Sequence, residues 1–452
     1  MRILASCAWA VALMLTWGVT ARASPEDLFG WGPRSPSMGG TGVATATGVD
    51  ATYTNPALLS LVHANTLTLG FAGARFDLHA DGPQLPGRVA VLPAHGYVVG
   101  VVVPIPFGGV LRDRMAIGFT YYTPSDSLLR GRIPYPETPD YPLLADRSQS
   151  LSVRLGVGAD LGHGVRVGAG VAVLAGLVGS INVASAGGTV TSQVDDQIVA
   201  TYAPSFGVAW DLPFDRARDG SPRWRIGAMY RGSTDASITV SVDASKLSTL
   251  NLPVFNIAGV AQYDPSEVGV EVAHERDGWT LAAGVTWKHW SAYPGVFEPT
   301  ILCPAGQDCA ALTPPAIAFS DTFVPRAGVE KVLPLPQRAA VRLRGGFFYE
   351  PTPVPMSLVS SQAYDLASQG LINVPTRFFD TSRYVLSLGA SVDFGDHAPF
   401  LVDFWAQYHV LASTSVQTCT GPNGACTPDI GTGSAKLSGN VLAYGAMVGV
   451  RF

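Results

Sequence analysis

The sequence predicts an all-β protein, a transmembrane antiparallel β-barrel of fourteen strands with an N-terminal hatch, or plug, inside its lumen. One observation is that fourteen segments between Thr66 and Phe452 alternate apolar and polar residues with a period of two. A second is that the connections between these segments alternate in length. Tight turns at one rim and long loops at the other are typical of outer-membrane barrels.

The short connections follow the even-numbered strands, at 107–114, 162–164, 213–222, 275–278, 333–336 and 395–399. The long connections follow odd-numbered strands, at 123–149, 293–320, 352–382 and 412–435. A soluble β-sandwich has no reason to alternate its connections in this way. The pattern therefore favours a barrel whose two rims face different compartments.

Composition supports a barrel in lipid. Of the 452 residues, 47% are hydrophobic and 14% are charged, against the usual quarter charged. Beyond the N-terminus the longest nearly apolar run, Val165–Val178, is too short to cross a bilayer as a helix. A closed barrel exposes apolar residues to lipid at every second position and still satisfies all of its backbone hydrogen bonds.

The first residues predict export. Arg2 precedes an apolar stretch, Ile3–Val19, and Ala21-Arg22-Ala23 matches a cleavage site, so we expect residues 1–23 to be a signal peptide cleaved near Ala23. The expected location is the bacterial outer membrane. The formal net charge of −5 argues against a nucleic-acid partner.

Four cysteines remain after Ala23, as two local pairs in the loops after strands nine and thirteen. We expect the disulfides Cys303–Cys309 and Cys419–Cys426, because an exported protein crosses an oxidising compartment. Zinc is the alternative, but these spacings do not match a zinc finger and no histidine accompanies them. We expect no metal and no cofactor.

The strands have one apolar and one polar face. In Ser150–Leu161, Val153 and Leu155 share a face and Arg154 lies on the other. The last strand ends on Phe452, which falls on the same face as the lipid-facing residues of that strand. Charged residues on the opposite faces are expected to point into a solvated lumen.

Residues 24–63 lack this period and precede the barrel, which is expected to comprise 64–452. Small residues, glycines and prolines dominate Ser35–Ala46, and Asp50–Leu59 follows. Such a segment is either a disordered tail or a plug. A short helix over 55–62 with Pro56 at its first position favours the plug.

The motifs of this segment resemble the hatch of the FadL family, which are outer-membrane transporters of long-chain fatty acids and aromatic hydrocarbons. The hatch motif comprises Gly39 and Gly40 in Met38–Gly42, and Asn55-Pro56-Ala57. Trp287–Ser291 and Arg344–Pro355 are similar to two further family segments. The chain departs from the family at Leu58-Leu59, where Gly-Leu is commoner, and in its long loops.

The resemblance implies passive uptake of hydrophobic small molecules, either fatty acids or hydrocarbons. Long loops would capture the ligand, the hatch would move, and the ligand would leave sideways through the barrel wall. Such a chain is surrounded by outer-membrane lipid and lipopolysaccharide. The hatch mechanism requires only a monomer.

Three sets of residues are candidates for ligand contact. Loop residues offer an apolar capture surface, unless they only pack against one another: Leu128, Leu129, Ile133 and Tyr135, with Tyr141, Leu143 and Leu144. The hatch offers an inner pocket: Leu28, Phe29 and Trp31. Inward arginines suit a carboxylate head group, although lumen salt bridges are the simpler explanation: Arg154, Arg166, Arg342 and Arg344.

A lateral opening requires broken strand pairing, and proline cannot donate to a ladder. Pro104 and Pro106, next to Gly118 in the third strand, are therefore candidates for the gap. The alternative is that the two prolines only end the second strand at the periplasmic rim.

Two other functions are known for outer-membrane barrels. A hydrophilic porin shares the barrel, but a glycine-rich plug disfavours an open pore. Some outer-membrane barrels are lipases or proteases, yet the chain has no nucleophile elbow, no H-E-x-x-H and no convergent Ser/His/acid group. We therefore expect a protein that is not an enzyme.

Overall fold

Alternation of apolar and polar residues produces fourteen antiparallel strands in the computed structural model. They are β1 (Thr66–Asp81), β2 (Ala94–Pro104), β3 (Met115–Pro124), β4 (Ser152–Gly162), β5 (Val165–Ala186), β6 (Thr189–Asp211), β7 (Trp224–Arg231), β8 (Glu267–Arg276), β9 (Trp279–Lys288), β10 (Thr322–Pro334), β11 (Ala340–Glu350), β12 (Arg383–Asp393), β13 (Phe400–Cys419) and β14 (Thr432–Arg451).

The structure describes residues 26–82, 85, 87–109, 113–125, 140–145, 151–186, 189–217, 220–246, 254–293, 297–302, 318–355, 360–365, 370–375, 379–396, 398–419 and 432–452. The expected signal peptide lies outside these residues.

The sheet closes on itself. Each barrel strand pairs with its neighbours in the chain, and β1 pairs with β14 over sixteen positions, from Thr66–Arg451 to Asp81–Lys436. Closure leaves no sheet edge facing lipid, which is the condition for β-strands to cross a membrane. The predicted fold class, a fourteen-stranded antiparallel barrel, is confirmed.

The barrel has its apolar face outside and its polar face inside. On β13, Phe404 is 57% exposed, whereas Asp403 and His409, on the other face, are 2% and 0% exposed. The same arrangement holds on β4, where Leu155 is exposed and Arg154 is buried. A soluble protein has the opposite arrangement, so this surface is suited to lipid.

Several strands extend beyond the membrane. β5 and β6 have 22 and 23 residues, about twice the length that a bilayer requires. Outside the bilayer β5 also pairs in parallel with Thr234–Lys246. The other loop strands are Gly87–Val89, Val254–Asp264, Phe297–Leu302, Ser360–Asp365 and Gly370–Pro375.

One predicted loop was too long. Residues 412–435 were expected to be irregular, but β13 continues to Cys419 and β14 begins at Thr432. Pairing resumes after a register shift between Leu411 and Thr414, because the hairpin keeps its hydrogen bonds beyond the lipid. Cys419 is therefore the last residue of a strand.

The segment before β1 consists of short helices inside the lumen. They are α1 (Glu26–Phe29), α2 (Arg34–Ser37), α3 (Asp50–Thr54) and a 3₁₀ helix at Pro56–Leu61. The outer loops add α4 (Pro142–Ala145) and a 3₁₀ turn at Trp290–Ala292. Across the described residues, every helix is too short or too polar to span a bilayer.

Candidate functional site

The hatch, defined here as residues 26–62, is held by a carboxylate of the wall. Glu271 of β8 points inward, and its two oxygens accept hydrogen bonds from the backbone N–H groups of Gly42 (2.7 Å), Val43 (3.1 Å) and Ala44 (3.0 Å). The Thr45 hydroxyl also donates to it at 3.0 Å. Successive N–H groups form a concave anion-binding site, and here the anion belongs to the barrel.

Asn55 links two parts of the hatch to each other and also links the hatch to β6. Its side-chain oxygen accepts from Ala57 N–H at 3.1 Å and caps the 3₁₀ helix, which begins at Pro56. Its amide group donates to the carbonyl oxygens of Val43 at 2.6 Å and Val208 at 3.0 Å. The Asn-Pro-Ala motif thus combines a helix cap with a bond to the wall.

The glycines of the motif allow backbone to lie on backbone. Gly39 has a φ of +67°, and a Cβ there would overlap with backbone atoms of Phe347 on β11 and Ala327 on β10. Gly40, with a φ of +69°, lies against the guanidinium of Arg326. A side chain at Gly39 would push the hatch away from the wall.

A buried ionic network begins at α1. Lys288 of β9 is fully buried, and its Nζ lies 2.8 Å from Asp27 of the hatch, 2.6 Å from Glu350 and 3.7 Å from Glu267. Each wall carboxylate has a second cation: Arg231 Nη2 donates to Glu267 and Arg383 Nη2 donates to Glu350, both at 2.6 Å. The six side chains are three carboxylates and three cations. We call them the Lys288 network.

Arginines complete the attachment. Arg34 of α2 donates to Glu330 on β10 from Nη2 at 2.9 Å, and Gln407 of β13 donates to the carbonyl oxygens of Phe29 and Pro36. Arg231 donates to the Tyr53 carbonyl oxygen at 2.8 Å and lies over its ring.

The four predicted arginines all face inward and already have partners. Arg344 donates to Glu330 and Asp403, at 2.6 and 2.8 Å. Three others lie beside protein groups: Arg166 beside Asp211, Arg342 beside Asp393, and Arg154 over the ring of Tyr53. Arg344, Arg166 and Arg342 are thus in lumen salt bridges, and Arg154 is in a cation–π contact.

An apolar cavity of about 30 Å³ lies between the start of the hatch and the wall. Ala72 lines the cavity from β1 and is paired with glycines on both neighbouring strands, Gly445 and Gly96. Trp405 lies over Gly445 and Tyr122 lies over Gly96. The lining residues are Phe29, Gly30, Trp31, Gly32, Ala72, Gly73, Ala74, Ala94, Val98, Tyr122, Trp405 and Met447.

Outer-loop residues cover the cavity. Tyr141 and Leu144 at α4 and Phe379 are buried together with Leu28 and Phe29 of α1 in one apolar cluster. The Tyr141 hydroxyl donates to the His79 carbonyl oxygen at 2.8 Å and ties the loop to β1. The structure therefore places Leu28 under the cover, and Phe29 and Trp31 at the cavity.

Other predicted site residues lie outside the described residues. These are Leu128, Leu129, Ile133 and Tyr135 of the capture surface, and the cysteines Cys303, Cys309 and Cys426. Among the described residues, no group of three or more His, Cys, Asp or Glu side chains is arranged to hold a metal ion.

The predicted gap at Pro104, Pro106 and Gly118 corresponds to a continuous ladder in this structure. Pairing of β2 with β3 runs without a register shift from Gly96–Pro124 to Pro104–Ala116, and Ile105 N–H continues it to Met115. Pro104 therefore ends β2 at the periplasmic rim, as the alternative proposed. The glycine at position 118 is explained by the hatch, because a Cβ there would overlap with Thr52 and Leu59.

Sequence reasoning missed Glu271, Lys288, Trp405 and Asp27 as attachment or cavity residues. The sequence contained part of the signal for Glu271 and Lys288, because charged residues at the inward phase of a strand must find partners in the lumen. Which partner each one finds depends on contacts more than two hundred residues apart, such as Glu271 with Gly42, and no local pattern encodes them.

Burial raises the pKa of two carboxyl groups that lie outside the strands, Asp50 and Asp380. Burial raises the pKa of Asp50 to about 7, although the N–H groups of Arg34 and Ser35 donate to it at 2.8 Å. Burial also raises the pKa of Asp380 to about 6, opposed by a hydrogen bond from the Thr352 hydroxyl at 2.5 Å. Asp380 joins the outer loops that cover the cavity.

Comparison with known proteins gives one curated relative and several similar structures. No protein-family model matches the chain. Alkane uptake protein A of Marinobacter nauticus is 23% identical over 411 residues, or 84% of this chain and 85% of that protein. A Pseudomonas aeruginosa FadL homologue has a TM-score of 0.60 at 15% identity, covering 96% of this chain and 100% of that one. The toluene transporter TodX of P. putida has a TM-score of 0.52 at 15% identity, covering 94% and 99%.

These likenesses extend over nearly the whole chain. They confirm the resemblance to the FadL and toluene-transporter family that the sequence motifs predict. The fold is that of an outer-membrane β-barrel of the FadL type.

The Glu271 contact predicts how firmly the hatch is held. Glu271→Gln replaces an anion that accepts four hydrogen bonds, and bonds to charged groups contribute about 1.5–3 kcal/mol each. We expect opening of the hatch to become about 3 kcal/mol easier, so that Gly42–Ala44 amides exchange roughly a hundredfold faster in hydrogen-exchange mass spectrometry. Glu275→Gln, at the exposed end of the same strand, is the control. Equal protection in both variants would contradict the prediction.

Asp380 predicts a pH effect on the cover. Its pKa is raised from 3.8 to about 6, so the packed loop favours the protonated carboxyl. This contribution to stability is complete below about pH 3.8 and is lost as pH rises through about 6. We expect amides at 379–382 to be more protected at pH 4.5 than at pH 7.5, after correction for intrinsic exchange. Asp380→Asn should remove the difference and Asp396→Asn, at an exposed periplasmic turn, should keep it.

Proposed function

We propose that this FadL-type outer-membrane barrel is a passive channel for uptake of hydrophobic molecules, fatty acids or hydrocarbons, and not an enzyme. The observation that carries the proposal is the apolar cavity between the hatch and the wall, whose residues Phe29 and Trp405 share one buried apolar cluster with the outer-loop residues Tyr141 and Phe379. An apolar ligand gains free energy by leaving water for such a surface. The names of similar proteins, an alkane uptake protein and a toluene transporter, agree with it.

The cavity is too small for such a ligand unless the hatch moves. A volume of about 30 Å³ holds one or two water molecules, whereas small-molecule pockets are roughly ten times larger. Four of its lining residues, Phe29–Gly32, belong to the hatch. Displacing this segment breaks the hydrogen bond from Gln407 to Phe29 and enlarges the cavity, while the strands of the wall stay paired.

The attachment of the hatch is asymmetric. Its polar bonds go to β6–β13, through residues such as Glu271, Lys288 and Glu330. Against β2–β5 it packs on glycines, where Leu59 lies on Gly118 and Gly158, and Ala57 on Gly168. We therefore propose that the hatch stays anchored on the polar side and opens on the side of β1–β3, where the cavity lies.

The wall at the cavity is a candidate for lateral exit. Gly73 of β1 lines the cavity with its backbone and has no side chain on the lipid face. The rings of His95 and Tyr444 cover it and are joined by a 3.2 Å hydrogen bond. We propose that ligand leaves where β1 and β2 separate next to Ala72–Ala74.

Filling the cavity tests the function. Ala72→Phe places a ring in a space that has no room for it. We expect it to lower protein-dependent association of labelled n-dodecane or toluene with expressing cells at least tenfold. Ala446→Phe, on the lipid face of β14, should retain uptake, and heat modifiability would show that both barrels fold. Proteoliposomes should swell in arabinose no faster than empty liposomes. Rapid swelling, or no uptake by the unaltered chain, would refute the proposal in favour of a porin or another role.

Cross-linking tests the exit. Ala74 and Ala94 are paired across β1 and β2, at a separation that suits a disulfide. In a background whose native cysteines are replaced by serine, a disulfide between Cys at these positions should stop uptake, and reduction should restore it. The control pair, Leu67 and Val101, lies at the periplasmic end of the same ladder. Full uptake through the oxidised Ala74–Ala94 pair would exclude this exit.

A further inference from the structure

Among the described residues, the charged groups around the start of the hatch are paired with one another, and Arg154 lies over the ring of Tyr53. Asp27, two residues before Phe29 of the cavity, belongs to the Lys288 network, in which three carboxylates face three cations at 2.6–3.7 Å. Lys288 itself touches three carboxylates and is fully buried. A further anion would have to displace one of them or remain uncompensated. Both are unfavourable in a water-excluded site.

The cavity lining offers neutral groups only. Its residues are apolar or glycine except for the rings of Trp31, Trp405 and Tyr122. The indole N–H groups of Trp31 and Trp405 are buried and donate to no described residue. An indole N–H can bond to an alcohol or carbonyl oxygen as readily as to a carboxylate, but it cannot neutralise a charge. The lining therefore accepts an uncharged polar group and disfavours an ionised one.

Arg326 is a lumen cation that lies outside the Lys288 network. It faces inward from β10 and forms no ion pair with the residues that the structure describes; its guanidinium lies 4.9 Å from the ring centroid of Phe348. It is not part of the cavity lining and lies against Gly40 of the hatch instead. A head group bound there would not place its chain in the cavity.

We infer that the substrate of this channel is an uncharged hydrophobic molecule, a hydrocarbon or a neutral oxygenated derivative, and that ionised fatty acids are excluded. The inference rests on the proposed function and adds the substrate class. The neutralised Lys288 network beside an apolar lining is what distinguishes the two classes.

The experiment compares three probes of one chain length: n-dodecane, 1-dodecanol and dodecanoate. Each is labelled and presented from cyclodextrin at equal concentration to cells that express the chain and lack their own hydrophobic transporter. The initial association over the first minute is measured, and that of cells with an empty vector is subtracted. At pH 7 we expect dodecane and dodecanol to enter at least ten times faster than dodecanoate.

Two further arms establish that charge is the cause. At pH 4 a carboxylic acid is largely protonated, so dodecanoate uptake should rise towards that of dodecanol, with dodecane at the same pH as reference. Asp27→Asn leaves the Lys288 network with one excess positive charge and should raise the ratio of dodecanoate to dodecane uptake at pH 7. Arg326→Gln, the matched control, should leave the ratio unchanged.

The outcomes separate the inference from the function on which it rests. Less than a tenfold preference for the neutral probes at pH 7 overturns the inference and leaves the channel in place. A fall of the ratio in Arg326→Gln would identify Arg326 as a head-group site and also overturns it, as does dodecanoate uptake that stays low at pH 4. Absence of protein-dependent uptake of all three probes overturns the proposed function itself.

Discussion

The structure depends on carboxylates and cations of the wall that complete the hydrogen bonding of a segment with almost no regular structure. Residues 26–62 form only helices of four to six residues, so most of their N–H and C=O groups need partners from elsewhere. Glu271 satisfies three consecutive N–H groups, and Gln407 satisfies two carbonyl groups. Each such group, buried and unpaired, would cost about 1–3 kcal/mol. The inward charges therefore determine where the hatch lies.

The same constraint supports the proposal that the hatch opens on the side of β1–β3. Breaking a buried ion pair such as Lys288 with Asp27 costs about 3–5 kcal/mol, whereas separating Leu59 from a glycine surface exposes a modest apolar area that a hydrophobic ligand can cover again. A ligand that enters between the hatch and β1–β3 replaces apolar contact with apolar contact. A ligand that enters on the side of β8–β10 would have to separate charges. In the proposed mechanism, polarity thus selects the path.

The sequence was sufficient for the barrel because that information is local. A period of two determines which residues of a strand face lipid, so Arg154 and Leu155 could be assigned to opposite faces without their partners being known. The length of each connection indicates the rim at which it lies. The site depends on contacts between distant segments. The sequence therefore predicted the kind of contact but not the residues that form each pair. Lumen salt bridges were expected, but their pairing, Arg344 with Glu330 and Asp403, was not. Proline at 104 suggested a gap, since sequence alone cannot distinguish a broken ladder from the end of a strand.

The segments that resemble the FadL family turn out to be the places where hatch and wall meet. Gly39 of the hatch lies on Gly346 of the wall. Lys288 binds Glu350 of another similar segment and also Asp27 of the hatch. The cavity residues Ala72, Trp405 and Met447 lie outside all of them. The motifs therefore describe how the plug is held, a problem that every such barrel must solve, and say nothing of what passes it. Selectivity among ligands has to be sought in the residues that carry no resemblance.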